Sequence, residues 1–185
     1  MENEKLKECF NEISVASDTF NKTVSNIVSD YSGDLDALMD DLRKSVTDTE
    51  AISTDALERY YAELSNMVYF MCDKVEKLNV FSDMSKAKYK ENYNTAYLNA
   101  CEEKDEKGKS VRTVAENTSL AENDAQYSGV VNIVYDHAYR TLKMKVDMAM
   151  EMISTLKHIL KRRVQEEYLN NQMAGMKVDF QEERD

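Results

Sequence analysis

The chain contains no proline and no tryptophan, and only four of its 185 residues are glycine. An all-β architecture is therefore not expected, because sandwiches and barrels need glycine and proline at their many corners. No run of apolar residues approaches 18, so the sequence predicts no transmembrane helix and no membrane contact. The first residues alternate in charge and lack the apolar segment of a secretory signal. These absences predict a cytoplasmic protein.

Cysteine is also scarce. The three cysteines, Cys9, Cys72 and Cys101, are odd in number, lie far apart and form no CxxC pair. This spacing argues against a disulfide framework and against a zinc knuckle. We interpret them as buried free thiols in a reducing compartment.

Familiar catalytic arrangements are missing from the sequence. His137 and His158 are 21 residues apart, which is about 31 Å along one helix, so they cannot share a metal ion within one chain. Gly108-Lys109-Ser110 is similar to the end of a phosphate-binding loop, but Glu103 stands where that loop requires glycine. No nucleophile, base and orienting group stand out together. The sequence predicts a protein that is not an enzyme and holds no cofactor or metal.

The N-terminal third carries a heptad seam. Apolar residues recur at alternating steps of four and three, which is typical of a helix packed lengthwise on another helix. We expect Ser32-Gly33 to end this helix, because glycine favours the left-handed cap conformation. A short helix should follow. The seam residues are Leu6, Phe10, Ile13, Phe20, Val24, Ile27 and Tyr31, with Ser17 at the one polar position.

Further boundaries are predicted from polar and glycine residues. Residues 47–54 are polar and indicate a loop, after which Asp55 is the expected N-cap of the next helix. Ser82-Asp83 is an expected break, and Gly108 an expected turn. A helix N-cap at Ser110 explains the residues around Gly108 without any nucleotide.

The remainder of the chain has a helical period almost to residue 172. The best strand-like run, 130–135, lies inside a segment whose period is 3.6 rather than 2. The sequence thus predicts an all-α fold, an elongated helical bundle resembling a coiled coil with one long C-terminal helix. We expect N-terminal antiparallel helices at 1–108, the long helical segment at 109–172, interrupted near residues 117–119, and a frayed acidic tail at 173–185. Together these form one cooperative domain.

Charge is unevenly distributed in this chain of net charge −11. Residues 1–60 hold 14 acids and six bases, whereas residues 139–163 hold seven bases and two acids. An acidic face could occupy a groove built for phosphates, and a basic helix could contact nucleic acid or an acidic partner. Alternatively, the acidic helices neutralise the basic one within the fold. The candidate partner-binding residues are Asp34, Asp36, Asp40, Asp41, Asp48, Glu50, Arg140, Lys143, Lys157, Lys161, Arg162 and Arg163.

Two side-chain clusters leave the choice between core and surface open. Met144, Met148, Met150 and Met152 could fill the core of a bundle or form an adaptable binding surface. Tyr89, Tyr93 and Tyr97 recur at four-residue steps and could form a core layer or an interface patch, where tyrosine is enriched.

The C-terminal half has a family resemblance that covers roughly residues 89–167. It resembles small helical proteins encoded by phages and prophages of Gram-positive bacteria and, more loosely, type II-A anti-CRISPR inhibitors. No catalytic residue belongs to this pattern. The matching segments are Lys109-Ser110-Val111, Ala115-Glu116, Ala138-Tyr139-Arg140, Lys143-x-Lys145-Val146-Asp147 and Glu151-Met152-Ile153-Ser154-x-Leu156-x-x-Ile159-Leu160-x-Arg162-Arg163.

The resemblance implies a non-enzymatic protein of the host bacterial cytoplasm that inhibits a nucleic-acid-binding defence complex. A CRISPR effector nuclease with its guide RNA is the first candidate partner. One alternative is an accessory protein of phage recombination or replication that binds DNA through the basic residues 140–163. Another is a homodimeric coiled-coil scaffold.

Overall fold

The computed structural model describes residues 2–46, 52–104, 106 and 108–182. It consists of three long helices, α1 (Glu2–Val46), α2 (Thr54–Glu102) and α3 (Val114–Glu182). Within these described ranges there is no strand, only a single antiparallel bridge between Lys104 and Ser110. The prediction of an all-α fold with one long C-terminal helix is confirmed.

Helix α1 does not stop at Ser32-Gly33, so that expectation is wrong. Ser32 is fully buried, and Leu35 and Leu42 continue the buried face of the helix beyond it. Gly33 has no positive φ, so it costs the helix only about 1 kcal/mol of propensity. Burial of two leucines, each worth about 2 kcal/mol, outweighs that cost.

Helix α2 likewise passes through Ser82-Asp83 without a break, which corrects the second predicted boundary. Ser82 is buried, and the Ser85 hydroxyl donates to its carbonyl oxygen at 2.8 Å. The N-cap of α2 is Ser53 rather than Asp55, because the Ser53 hydroxyl accepts a hydrogen bond from the backbone N–H of Ala56 at 3.2 Å.

The connection between α2 and α3 contains the expected turn at Gly108, whose φ is 75°. The cap that follows is a reciprocal capping box at Thr113, and not at Ser110 as predicted. The backbone N–H of Thr113 donates to Glu116 Oε2 at 2.7 Å, and the N–H of Glu116 donates to Thr113 Oγ1 at 3.3 Å. Helix α3 then continues through residues 117–119 and on to Glu182, so the predicted interruption is absent.

The three helices form two compact units, and each helix contributes residues to both. Unit 1 comprises residues 1–32 and 72–143. Within it α2 and α3 run antiparallel, with Phe81 stacked on Tyr135 at 5.7 Å between ring centroids and Asn117 Nδ2 donating to Cys101 Sγ at 3.3 Å. Its buried side chains are Val24, Val28, Ser32, Leu78, Ser82, Ala100, Asn117, Ala121, Ala125, Ala138 and Leu142.

Unit 2 comprises residues 33–71 and 144–185. Its core is aliphatic, and a single tyrosine, Tyr60, contributes a hydroxyl. The larger buried side chains are those of Leu35, Leu42, Leu57, Tyr60, Leu64, Val68, Met71, Val146 and Leu156. The prediction that the whole chain is one cooperative domain stays a prediction.

Candidate interaction surfaces

The predicted acidic residues of α1 are divided between two sides of the helix. Asp34 and Asp41 are seven residues apart and therefore share one side, whereas Asp36 and Asp40 are four apart and share the other. All of these except Asp36 are exposed. Residues 48 and 50, the last two of the predicted acidic face, lie outside the described residues.

Asp36 is held by a lysine from α3 of the same unit. Lys145 Nζ lies 2.7 Å from Asp36 Oδ1 and 2.5 Å from Asp36 Oδ2, and both side chains are partly shielded from solvent. One carboxylate of the predicted acidic face is thus neutralised within the fold.

Asp41 also has an internal role, as a hydrogen-bond acceptor in unit 2. The buried Tyr60 donates its hydroxyl to Asp41 Oδ2 at 2.8 Å, and Ser45 lies 2.9 Å from the same hydroxyl. This small network ties α2 to α1 in unit 2. Among the predicted acids that the structure describes, Asp34 and Asp40 are exposed and outside this network, and Asp40 lies 3.7 Å from the exposed Arg43.

The predicted basic residues are divided between the units. Arg140 and Lys143 belong to unit 1, where Arg140 pairs with Asp136 at 2.9 Å and Lys143 is exposed. Both cations are therefore exposed, and Arg140 shares its charge with Asp136 one turn away.

In unit 2 the basic cluster comprises Lys157, Lys161, Arg162 and Arg163. Arg163 Nη1 donates to the Ile52 carbonyl oxygen at 2.6 Å and so anchors the segment before α2. Arg162 is exposed and lies 3.5 Å from Glu166, a contact that contributes little in water. Lys157 and Lys161 are exposed and lie one turn apart, so their charges point to the same side of α3.

The methionine cluster is mainly on the surface. Met144, Met148 and Met150 are 57%, 59% and 47% exposed, whereas Met152 is half-buried. This arrangement favours the interpretation as an adaptable surface over core filling. We call Met144, Met148, Met150, Lys157, Lys161 and Arg162 the methionine–basic surface; helix geometry places Met144, Met148 and Arg162 on one side of α3 and Met150, Lys157 and Lys161 on another.

The three tyrosines of α2 form a ladder, and the first of them, Tyr89, lies against Gly129 of α3. Their ring centroids are 6.5 Å and 6.4 Å apart, and a Cβ added to Gly129 would lie only 3.3 Å from the Tyr89 ring. Cys101 raises the pKa of Tyr97 above its usual value, because negative charge on the neighbouring sulfur disfavours ionisation of the phenol; slight burial and the hydrogen bond between the two side chains add to this. The ladder is therefore half-buried packing within unit 1.

A surface that the sequence reasoning missed lies in unit 1. Every described side chain from 7 to 19 is exposed, including Phe10 and Ile13 at 65% and 59%. The described seam residues are therefore exposed at Phe10 and Ile13, buried at Val24 and half-buried at Ile27 and Tyr31. A groove of about 930 Å³ separates this part of α1 from α3, and a groove of about 800 Å³ separates α2 from α3.

The two grooves adjoin along α3, because Val131 and Tyr135 line both of them. The signal that could have revealed them is the run 130–135, in which five of six residues are apolar, more than one helix face can bury. We call the combined surface the apolar trough; it comprises Ile13, Phe20, Ile27, Phe81, Met84, Val130, Val131, Val134 and Tyr135.

The three cysteines are less buried than the sequence predicts. Cys9 and Cys72 are exposed and Cys101 is half-buried, so the interpretation of three buried thiols is wrong. Among the residues the structure describes, no group of three or more potential ligands could hold a metal ion. Within the same ranges no helix combines the length and the apolar character needed to cross a membrane.

Comparison of the chain with protein-family models, with curated proteins and with solved structures finds no match. The function must therefore be argued from the surfaces themselves.

Proposed function

We propose that this protein acts without catalysis, by binding a host nucleic-acid-binding defence complex and inhibiting it. The first target to test is a CRISPR effector nuclease with its guide RNA. The observation that carries the proposal is the exposure of Met144, Met148 and Met150 on the same helix as the exposed Lys157, Lys161 and Arg162.

This combination suits a ribonucleoprotein target. Thioether side chains are flexible and polarizable, so they can adapt to an apolar protein surface at low steric cost. Neighbouring cations attract phosphates, and the attraction is strongest where few anions compete. A nuclease that holds its guide RNA presents both kinds of surface together.

The exposed acids of α1 add a second way to compete. Carboxylates on a rigid helix can occupy arginine and lysine side chains that would otherwise bind phosphate. In this protein the role falls to Asp34 and Asp40, because Asp36 is paired with Lys145 and Asp41 supports Tyr60.

The test is target cleavage by purified effector and guide RNA, measured with increasing amounts of this protein. We expect cleavage to fall as the protein is added, and the inhibition to weaken at higher salt. Undiminished cleavage with several effector orthologues would show that the target is wrong.

Charge variants connect inhibition to the surface. Lys157→Glu combined with Lys161→Glu should weaken inhibition by about tenfold or more. Reversing both charges slows association with an anionic surface and also destabilises the complex once it has formed. Lys22→Glu combined with Lys90→Glu makes the same change in net charge at exposed positions of unit 1 and should leave inhibition unchanged. Equal effects of the two pairs would indicate a general charge effect rather than a binding surface.

The exposed cations of α3 also favour a second candidate, an accessory protein of phage recombination or replication that binds DNA. Contacts from Lys157, Lys161 and Arg162 to three phosphates would make affinity fall about fortyfold between 50 and 200 mM salt. A gel-shift experiment at low salt tests this, and Lys157→Glu with Lys161→Glu should abolish the shift. A protein that inhibits cleavage but shifts no DNA would exclude this alternative.

A further inference from the structure

The apolar seam of α1 extends beyond the core that it helps to form. Val24 of the seam is buried in unit 1, yet Phe10 and Ile13, which continue the seam toward the N-terminus, are more than half exposed. Seam residues at heptad spacing are the knobs that fill holes on a neighbouring helix. In unit 1 the side chains of Phe10 and Ile13 face solvent instead.

We propose that a second copy of this chain covers this surface. Segment 7–19 of each copy lies in the apolar trough of the other, related by a two-fold axis. Such an interface is self-complementary, because the same segment and the same trough are contributed by both subunits. The inference is independent of the proposed function, since it concerns unit 1 and not the methionine–basic surface of unit 2.

The charges around the seam allow two such acidic chains to meet. The positions that flank the seam between residues 7 and 23 are Lys7, Cys9, Ser14, Ala16, Asn21 and Thr23, of which one is charged. The acids of this segment, Glu8, Glu12 and Asp18, lie about a third of a turn or more from the centre of the seam. Two copies of a chain with net charge −11 can therefore meet here without placing carboxylates opposite each other.

The α2–α3 part of the trough is electrically balanced as well. The charged residues that line it are Lys88 and Glu91, which pair with each other at 2.9 Å. These lining residues offer no unpaired cation to attract the phosphates of a nucleic acid. An apolar helix can dock there without separating a charge from its solvent or partner. The occupant that fits this lining is an amphipathic helix whose flanks carry little charge, which describes segment 7–19, where Lys7 is the one charged flanking residue.

The available area is sufficient for a specific dimer. Phe10, Ile13, Phe81, Met84, Val130 and Val131 are between 45% and 65% exposed, which leaves about 550 Å² of apolar surface per copy at roughly 150–200 Å² per side chain. With the half-buried Phe20, Ile27, Val134 and Tyr135, two copies would bury about 1,400 Å² in total. Specific interfaces bury about 1,200–2,000 Å².

Sedimentation velocity of the full chain at concentrations from about 1 to 100 µM, a range that resolves micromolar dissociation constants, tests the proposal. We expect a species of twice the 21.3 kDa chain mass. Phe10→Asp combined with Ile13→Asp should weaken association at least about thirtyfold, as loss of a central apolar contact does. The matched control is Val15→Asp, because Val15 is 67% exposed on the opposite side of the same helix; it should leave the dimer intact.

A second measurement does not depend on a variant. Alkylation of Cys9, which flanks the seam, should slow as the wild-type protein is concentrated, whereas alkylation of the exposed Cys72 should not change. A wild-type monomer at 100 µM, a dimer that survives the Phe10 and Ile13 substitutions, or Cys9 alkylation independent of concentration would each overturn the proposal. A dimer in solution with no inhibition of cleavage would instead refute only the proposed function.

Discussion

Two glycines in helix interiors provide a matched experiment on the tyrosine ladder. A Cβ at Gly33 of α1 would meet no atom within 4 Å, whereas a Cβ at Gly129 of α3 would lie 3.3 Å from Tyr89 Cε2 and 3.5 Å from Tyr89 Cδ2. Neither glycine has a positive φ, so alanine is compatible with both backbones. Any difference between the two substitutions therefore reports the contact with Tyr89.

The expected magnitudes follow from propensity and packing. Gly33→Ala should stabilise the protein by about 1 kcal/mol, the gain in helix propensity. Gly129→Ala gains the same amount but must move a ring that is in contact with Tyr93, and overpacking of this kind costs about 1–3 kcal/mol. We expect Gly129→Ala to be less stable than Gly33→Ala by about 2 kcal/mol.

Urea unfolding followed by circular dichroism measures both variants, and a double-mutant cycle isolates the contact. In a Tyr89→Ala background the ring is absent, so Gly129→Ala should become stabilising by about 1 kcal/mol. If Gly129→Ala stabilises the wild-type protein as much as Gly33→Ala does, and no coupling to Tyr89 appears, the close approach of α2 and α3 at this point is refuted.

Two further predictions concern the cap of α3 and the core of unit 2. Thr113→Ala should cost about 1 kcal/mol, since it removes the hydroxyl that caps α3. The hydrogen bonds from Thr113 lower the pKa of Glu116. The stabilisation by the Glu116 carboxylate should therefore be complete above about pH 4.3, its pKa in the unfolded chain, and be lost as the pH falls through the lowered pKa. Urea titrations at several pH values should show this loss for the wild-type protein and not for Glu116→Gln. Tyr60→Phe should lower the free energy of unfolding by about 1 kcal/mol through the lost bond to Asp41, whereas Tyr69→Phe, at an exposed position, should have no measurable effect.

Helix type and approximate extent were predictable because they depend on local periodicity. The heptad steps before residue 32 and the helical period after residue 110 correspond to α1 and α3. The internal breaks were not predictable in the same way. A glycine such as Gly33 costs a helix about 1 kcal/mol. The burial of Leu35 and Leu42, which lie two turns apart after Gly33, outweighs that cost, and this burial depends on tertiary packing.

The predicted acidic face shows a second limit of sequence reasoning. Asp34, Asp36, Asp40 and Asp41 are close in sequence, but helix geometry places them on two sides of α1. Which of them is neutralised depends on Lys145, 109 residues further along the chain from Asp36. Periodicity can place charges on a face, but it cannot show which element covers that face.

The uncovered N-terminal part of α1 has a consequence for its dynamics. Between residues 7 and 19 the helix is maintained by its own backbone hydrogen bonds, and a segment of this length is marginally stable in water without packing. The backbone amides of this segment should exchange with deuterium faster than those near Val24, whose side chain is buried in the core of unit 1. Whatever fills the trough must then slow that exchange, so the rate of isotope uptake in this segment reports directly on occupancy.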